Sequence, residues 1–203
     1  MLTTTHALVG MAIWAKLGRP CRNVVVLIGS LFPDLAIYFW APWQRWGLGR
    51  DWGAIWDLHY FESFMQTLIA AFNSVPIFGL ILLMGYGLSH GAGASRRAGQ
   101  VMMLFALAAL VHIALDAPVH ASDAYRHVWP ISDWRFHSPL SYWERSHHAN
   151  WVSIVEALFV LGLTIILWRR FAALWVQACL AIILILTTLN AIMQWLAVGG
   201  SPV

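Results

Sequence analysis

Five apolar runs, at residues 24–40, 64–88, 100–120, 151–168 and 172–198, constrain what this chain can fold into. Each is near or above the roughly 20 residues a helix needs to cross a hydrocarbon core about 30 Å thick. A sixth run, 3–17, is shorter and ends beside Lys16, so it either spans with help or dips in from one side. Composition agrees: 60% of residues are hydrophobic and 10% charged, against about 25% charged in a soluble domain. The expected fold is all-α: a polytopic membrane helical bundle with five or six membrane segments and two long outer loops, 41–63 and 121–150. One membrane-embedded domain covers 1–203. So little charge excludes a disordered chain, a coiled coil and a basic nucleic-acid binder, and the net charge of +3 reflects placement of a few groups. Cys21 and Cys179 are too few for a disulfide framework or a paired-cysteine metal site and are expected to be packing residues. The opening MLTTTHALVG lacks the basic start and small-residue cleavage site of a removable signal peptide.

Charge placement orients the segments. The connections after the first, third and fifth segments carry Lys16, Arg19, Arg22, Arg96, Arg97, Arg169 and Arg170 and no acid. The two longer connections carry five arginines mixed with Asp51, Asp57, Asp123, Asp133 and Glu144. Basic residues mark the cytoplasmic side, and acids contribute little to the rule. The expected location is a bacterial inner membrane with the two long loops outside the cytoplasm. Ten of the thirteen tryptophans fall in or beside that outer side, where indole rings settle at the headgroup level. They form an aromatic belt or, on a sharper reading, bring lipid to a site.

Ionisable residues inside membrane segments are costly and point to function. His6 opens the first segment, Asp34 lies late in the second, and His59 and Glu62 stand at the start of the third. His112 and Asp116 end the fourth, followed by His120, and Glu156 is early in the fifth. Running the segments up and down brings all of these to one depth, near the outer leaflet. His112, Asp116 and His120 are spaced four apart and share a helix face, with Pro118 able to interrupt it. His59 and Glu62, three apart, are neighbours if helical. Imidazoles and carboxylates suit zinc and tolerate manganese or iron. The metal candidates are His6, Asp34, His59, Glu62, His112, Asp116 and His120; the catalytic candidates are the carboxylates Glu62 and Glu156. A buried hydrogen-bonded His/Asp pair is the plainer alternative. In the loop 121–150, His127 and His137 read as loop histidines or supporting groups, and at most one of the adjacent His147 and His148 joins the site. Arg126, Arg135 and Arg145 pair with an anion or balance Asp123, Asp133 and Glu144.

The order THALVG, GSLFPD, HIALD and WPISDWRF resembles the LexA-regulated, membrane-bound metal-dependent hydrolases (YdjM-like), over roughly residues 1–140. The resemblance carries His6, Asp34, His112 and Asp116 onto that family's motif positions. The family's His-Arg-Gly-x-Thr-His-Ser element is replaced by DLHYFES, which sets Asp57 and Glu62 at the two histidine positions, with His59 as a substitute imidazole. The family is in turn distantly similar to zinc-dependent phospholipase C folds, which implies phosphoester chemistry.

Two functions follow as expectations. The first is a membrane-embedded hydrolase that activates water on one or more divalent transition metals, zinc first, and acts near the outer leaflet on a lipid or phosphoester. Its partners are membrane lipid and that substrate, with no nucleic acid. The second is a non-catalytic membrane protein, such as a metal or proton transporter, whose His/Asp cluster carries ions or ties helices together.

Overall fold

The apolar runs become helices in the computed structural model, which describes residues 1–199. In chain order these are α1 (Thr3–Trp14), α2 (Pro20–Leu31), α3 (Leu35–Pro42), α4 (Trp52–Asp57), α5 (Ser63–Phe72), α6 (Val75–Ser89), α7 (Gly93–Asp116), α8 (Ala149–Arg170) and α9 (Leu174–Gly199). No strand occurs among the described residues. Five helical stretches are long and apolar enough to cross a bilayer: Pro20–Gly47, Ser63–Ser89, Gly93–Val119, Ala149–Arg170 and Leu174–Leu196. Their outward faces expose Leu80, Leu83, Leu158, Ile185 and Leu186, side chains suited to acyl chains. The chain is a helical membrane protein.

The sixth run settles as a short helix. With 12 residues, α1 is about 18 Å long, well below the thickness of a hydrocarbon core. It packs against α2, α7 and α8. Its ends are held by opposite charges from one neighbour. Glu156 of α8 accepts from the Leu2 amide (2.8 Å) and the Thr5 hydroxyl (2.6 Å). About 21 Å further along α8, Arg170 Nη1 donates to the carbonyls of Met11, Ala12 and Ala15. A carboxylate at the N-terminus and a guanidinium at the C-terminus both complement the helix dipole, and they satisfy backbone groups that have no partner within the helix.

Two spans are interrupted. Pro33 has no amide hydrogen to give to the preceding turn, and α2 passes through a 3₁₀ turn, Phe32–Asp34, into α3. The run 64–88 divides at Asn73–Ser74, where Ser74 caps α6 by accepting from the Ile77 amide at 3.1 Å. The breaks are joined: Asn73 Nδ2 donates to the Pro33 carbonyl at 3.1 Å. Unwound backbone at membrane depth is tolerated where protein buries it, and Pro33, Asp34, Asn73 and Ser74 are all buried.

Glycines let the helices carrying polar groups approach. A Cβ on Gly29 of α2 would lie 2.6 Å from the Phe105 carbonyl oxygen of α7, and one on Gly10 of α1 would lie 2.0 Å from Ser30 Oγ. Only glycine permits such spacing, the small-residue packing expected of membrane helices.

The sequence reading differs from the structure in three details. The connection 41–63 is partly helical, holding a π turn at Trp43–Gly47, α4 and a 3₁₀ turn at His59–Phe61. The fourth span starts earlier than expected, so Arg96 and Arg97 lie within α7. Cys21 and Cys179 are exposed, not packed, because both occupy outward helix positions.

Candidate metal centre

Three elements deliver side chains to one buried place. His6 comes from the start of α1, Asp34 from the 3₁₀ turn after α2, and His112 and Asp116 from successive turns of α7. His120 lies beyond a 3₁₀ turn, Ala117–Val119, in extended backbone. The chain has left the helix there, yet the His120 ring still reaches Asp116. All five residues are buried.

Asp116 is the hub. Its Oδ1 lies 2.9 Å from His6 Nε2 and 2.6 Å from the Met1 amino group. Its Oδ2 lies 3.1 Å from His112 Nε2 and 3.6 Å from His120 Nε2. His112 Nε2 is also 3.5 Å from Asp34 Oδ1, and Asp34 accepts from the Thr3 hydroxyl through its other oxygen. The His6 and His112 rings stack at 3.6 Å between centroids. His6, His112 and Asp116 each present a ligand atom within 4.8 Å of the others.

The rings are oriented from behind. His112 Nδ1 donates to the Ser30 carbonyl at 2.6 Å, and since a carbonyl only accepts, Nδ1 carries the hydrogen. His120 Nδ1 donates to Asp123 Oδ2 at 2.8 Å. In a neutral ring so arranged, Nε2 is a bare lone pair. Two such lone pairs facing the oxygens of Asp116 repel them unless a cation, either a proton or a metal, lies between. For His120, burial pulls its pKa down, but Asp116 and Asp123 more than offset this and hold it up at about 9. A charge on His120 is thus compensated by the two carboxylates on either side of its ring. Histidines anchored by a carbonyl or carboxylate on one nitrogen, with the other free toward a shared carboxylate, form the arrangement typical of metal-ligating imidazoles. The donor set fits a divalent transition ion.

The remaining candidates lie elsewhere. His59 Nδ1 is 2.5 Å from Glu62 Oε1, and the Glu62 side chain is 54% exposed. The hydrogen bond from His59 holds the Glu62 carboxyl below its ordinary range. The structure does not bring this pair to the cluster, because the 3₁₀ turn at His59–Phe61 directs Tyr60 inward instead. Glu156 is buried, but its bonds to Leu2 and Thr5 make it a positioning residue for α1. His127 Nδ1 donates to the Asn73 carbonyl and His137 Nδ1 to the Ala121 carbonyl, so both stitch the loop. His147 lies against Glu144, and His148 takes a left-handed conformation (φ 63°) before α8. Arg126 pairs with Asp133 at 2.7 Å, and Arg135 donates to Gln66 and to the Ala124 carbonyl.

Two adjoining cavities open at the cluster. The smaller, about 260 Å³, includes Asp34, Asp116 and His120 in its wall. The larger, about 400 Å³, has Asp123 and mostly aromatic residues from both long connections. Ile37, Trp56, Tyr125 and Tyr142 line both. Asp123 and these aromatic residues were not singled out from sequence as site residues. The available signal was the three-residue step from His120 to Asp123, the spacing that also joins His59 to Glu62.

Comparison with protein-family models, with curated proteins and with solved structures gave no match.

Proposed function

We propose that this protein is a membrane-embedded, metal-dependent hydrolase that acts near the outer leaflet on a lipid or phosphoester. The observation that carries the reading is the meeting of His6, Asp34, His112, Asp116 and His120 beside a cavity, with His112 and His120 both oriented toward Asp116. The motif resemblance to membrane-bound metal-dependent hydrolases supports the same reading.

In this proposal His6, His112, Asp116 and His120 hold the ion, with zinc as the first candidate. A divalent transition ion supplies Lewis acidity and activates water at neutral pH. Asp34 lines the cavity beside this set and is placed to accept the proton of an attacking water. Ser30 and Asp123 hold the imidazole orientations, and Glu156 holds α1 so that His6 reaches the set. The aromatic walls exclude bulk water and receive the apolar part of the substrate. In this reading the basic clusters Lys16 to Arg22, Arg96 to Arg97 and Arg169 to Arg170 face the cytoplasm of a bacterial inner membrane, with the His/Asp cluster toward the opposite side.

The test is metal content by mass spectrometry, paired with phosphodiester turnover in detergent. The wild type is expected to carry near-stoichiometric transition metal and to lose it in His112→Ala/Asp116→Ala. Unchanged metal in the double variant overturns the proposal. Metal flux into liposomes without turnover replaces it with transport.

A further inference from the structure

A cavity of about 500 Å³ lies where α2 and α7 begin, far from the His/Asp cluster that their later turns supply. Arg22 precedes Asp34 by 12 residues and Arg97 precedes His112 by 15. Along the helices the two places are thus roughly 20 Å apart. The wall combines Arg19, Arg22 and Arg97 with the apolar Val25, Val101 and Leu104. No acid lines it, and the sequence has no Asp or Glu before Asp34 or between residues 63 and 115. Among the described residues the one arginine–carboxylate pair is Arg126–Asp133, in the loop 121–150. Three guanidinium groups gathered without an internal counter-charge repel one another, and an anion from outside the chain relieves that repulsion.

The basic wall is built, not merely exposed. Gly18, at φ 69°, turns the chain between α1 and α2. The Lys16 amide donates to Asn23 Oδ1 at 2.9 Å, and Asn23 Nδ2 donates back to the Lys16 carbonyl at 3.0 Å. This reciprocal pair closes the turn that carries Arg19 and Arg22. Arg22 Nε donates to the Trp14 carbonyl at 2.9 Å, which fixes one edge of the guanidinium and leaves its terminal nitrogens for a ligand. Guanidinium N–H groups meet phosphate oxygens in pairs, and holding them in place beforehand lowers the cost of binding.

We infer that this cavity binds the headgroup of an anionic phospholipid, with its phosphodiester on the arginines and the first part of its acyl chains on Val25, Val101 and Leu104. Pro20 and Gly93 each open a stretch long and apolar enough to cross the bilayer, so the cavity sits where headgroups give way to acyl chains. Basic pockets between membrane helices hold anionic headgroups by this chemistry. A free phosphate satisfies the arginines but leaves the three apolar side chains without a partner. A zwitterionic lipid brings an ammonium group that the arginines repel. Basic residues that only set topology need neither a common cavity nor a fixed geometry; Arg96 and Arg169 carry the same charge outside this wall. The inference is independent of the hydrolase reading.

The experiment titrates delipidated full-length protein in detergent with phosphatidylglycerol and with phosphatidylcholine of the same chains, and reads bound lipid by native mass spectrometry. One phosphatidylglycerol is expected to bind about tenfold more tightly than phosphatidylcholine. Arg19→Gln/Arg97→Gln, which alters two exposed side chains, is expected to bring the two lipids within about twofold. Arg96→Gln/Arg169→Gln, with the same change in net charge, is expected to keep the preference. Equal binding of the two lipids to wild type overturns the inference. Equal loss of preference in the two variants also overturns it, since general surface charge then accounts for the binding. Glycerophosphoglycerol, the soluble headgroup, is expected not to displace the lipid at equal concentration; displacement overturns the lipid assignment in favour of a soluble phosphodiester. Cys21, in the cavity wall, and Cys179, outside it, are both exposed and locate the ligand. Phosphatidylglycerol is expected to slow maleimide labelling of Cys21 about fivefold relative to Cys179, whereas phosphatidylcholine leaves the ratio unchanged. Bound phosphatidylglycerol with an unaltered ratio places the lipid elsewhere and overturns the site.

Discussion

His112–Asp116 and His59–Glu62 are both imidazole–carboxylate pairs within one helical turn, and they have opposite fates. The first lies among α1, α2 and α7, where Asp116 is also met by His6, His120 and the Met1 amino group. The second closes on itself at 2.5 Å, with His59 21% and Glu62 54% exposed in their side chains. Residue type and spacing are alike; what differs is how many other elements arrive. A local pair becomes a site only when distant segments converge on the same carboxylate.

The largest effect should come from Asp116→Ala. Removing one member of a buried charge network is expected to cost about 3–5 kcal/mol and to abolish metal retention, read by thermal melting and mass spectrometry. Glu62→Ala, the matching change in the exposed pair, should leave both the melting temperature and the metal content unaltered. Equal effects would erase the distinction between the pairs.

Convergence itself can be loosened without touching a polar group. Gly29→Ala places a methyl carbon about 2.6 Å from the Phe105 carbonyl, so α2 and α7 must separate. The expected cost is about 1–3 kcal/mol, together with reduced metal occupancy as Ser30 withdraws from His112. Normal occupancy with normal melting would show that the glycine contact is not what gathers the site. Glu156→Ala should destabilise by about 2 kcal/mol through loss of two bonds to a carboxylate. Glu156→Gln, which keeps an acceptor, should recover most of that. The pair separates anchoring of α1 from a catalytic role, since a catalytic carboxylate would not be rescued by the amide.

The smallest effect is a pH dependence confined to the exposed pair. The folded carboxyl of Glu62 lies below its ordinary range because His59 hydrogen-bonds to it. Its contribution is therefore present above the unfolded carboxyl range and is lost as pH falls through the lowered folded value. Imidazole nitrogen shifts of His59 should report this loss on acidification, and Glu62→Gln should remove the dependence.

Much of this arrangement was legible in the sequence. The five spans follow from run length, and the shared depth of His6, Asp34, His112 and Asp116 follows from alternating their directions. The one-turn step from His112 to Asp116 gives their common face directly. His120 was harder to read: Pro118 ends the helix, so helical spacing no longer holds, and only the fold of the following turn returns its ring to Asp116. By sequence Glu156 is a catalytic candidate, because a carboxylate within a membrane segment suggests chemistry, whereas its partners are a helix terminus and a hydroxyl. Asp123 went unrecognised as part of the site because an acid amid arginines in a wet loop looks like charge balance. Burial and the lack of a partner at Asp123 Oδ1 are tertiary facts, and no local pattern encodes them.

The bond from Asn73 to the Pro33 carbonyl has a mechanical consequence. It latches one discontinuous span to another at the level of Asp34, so neither half can rock past its neighbour without breaking a buried link. Any movement of one broken span past the other would first have to part Asn73 from Pro33. The bond therefore ties the turn that carries Asp34 to the break between α5 and α6.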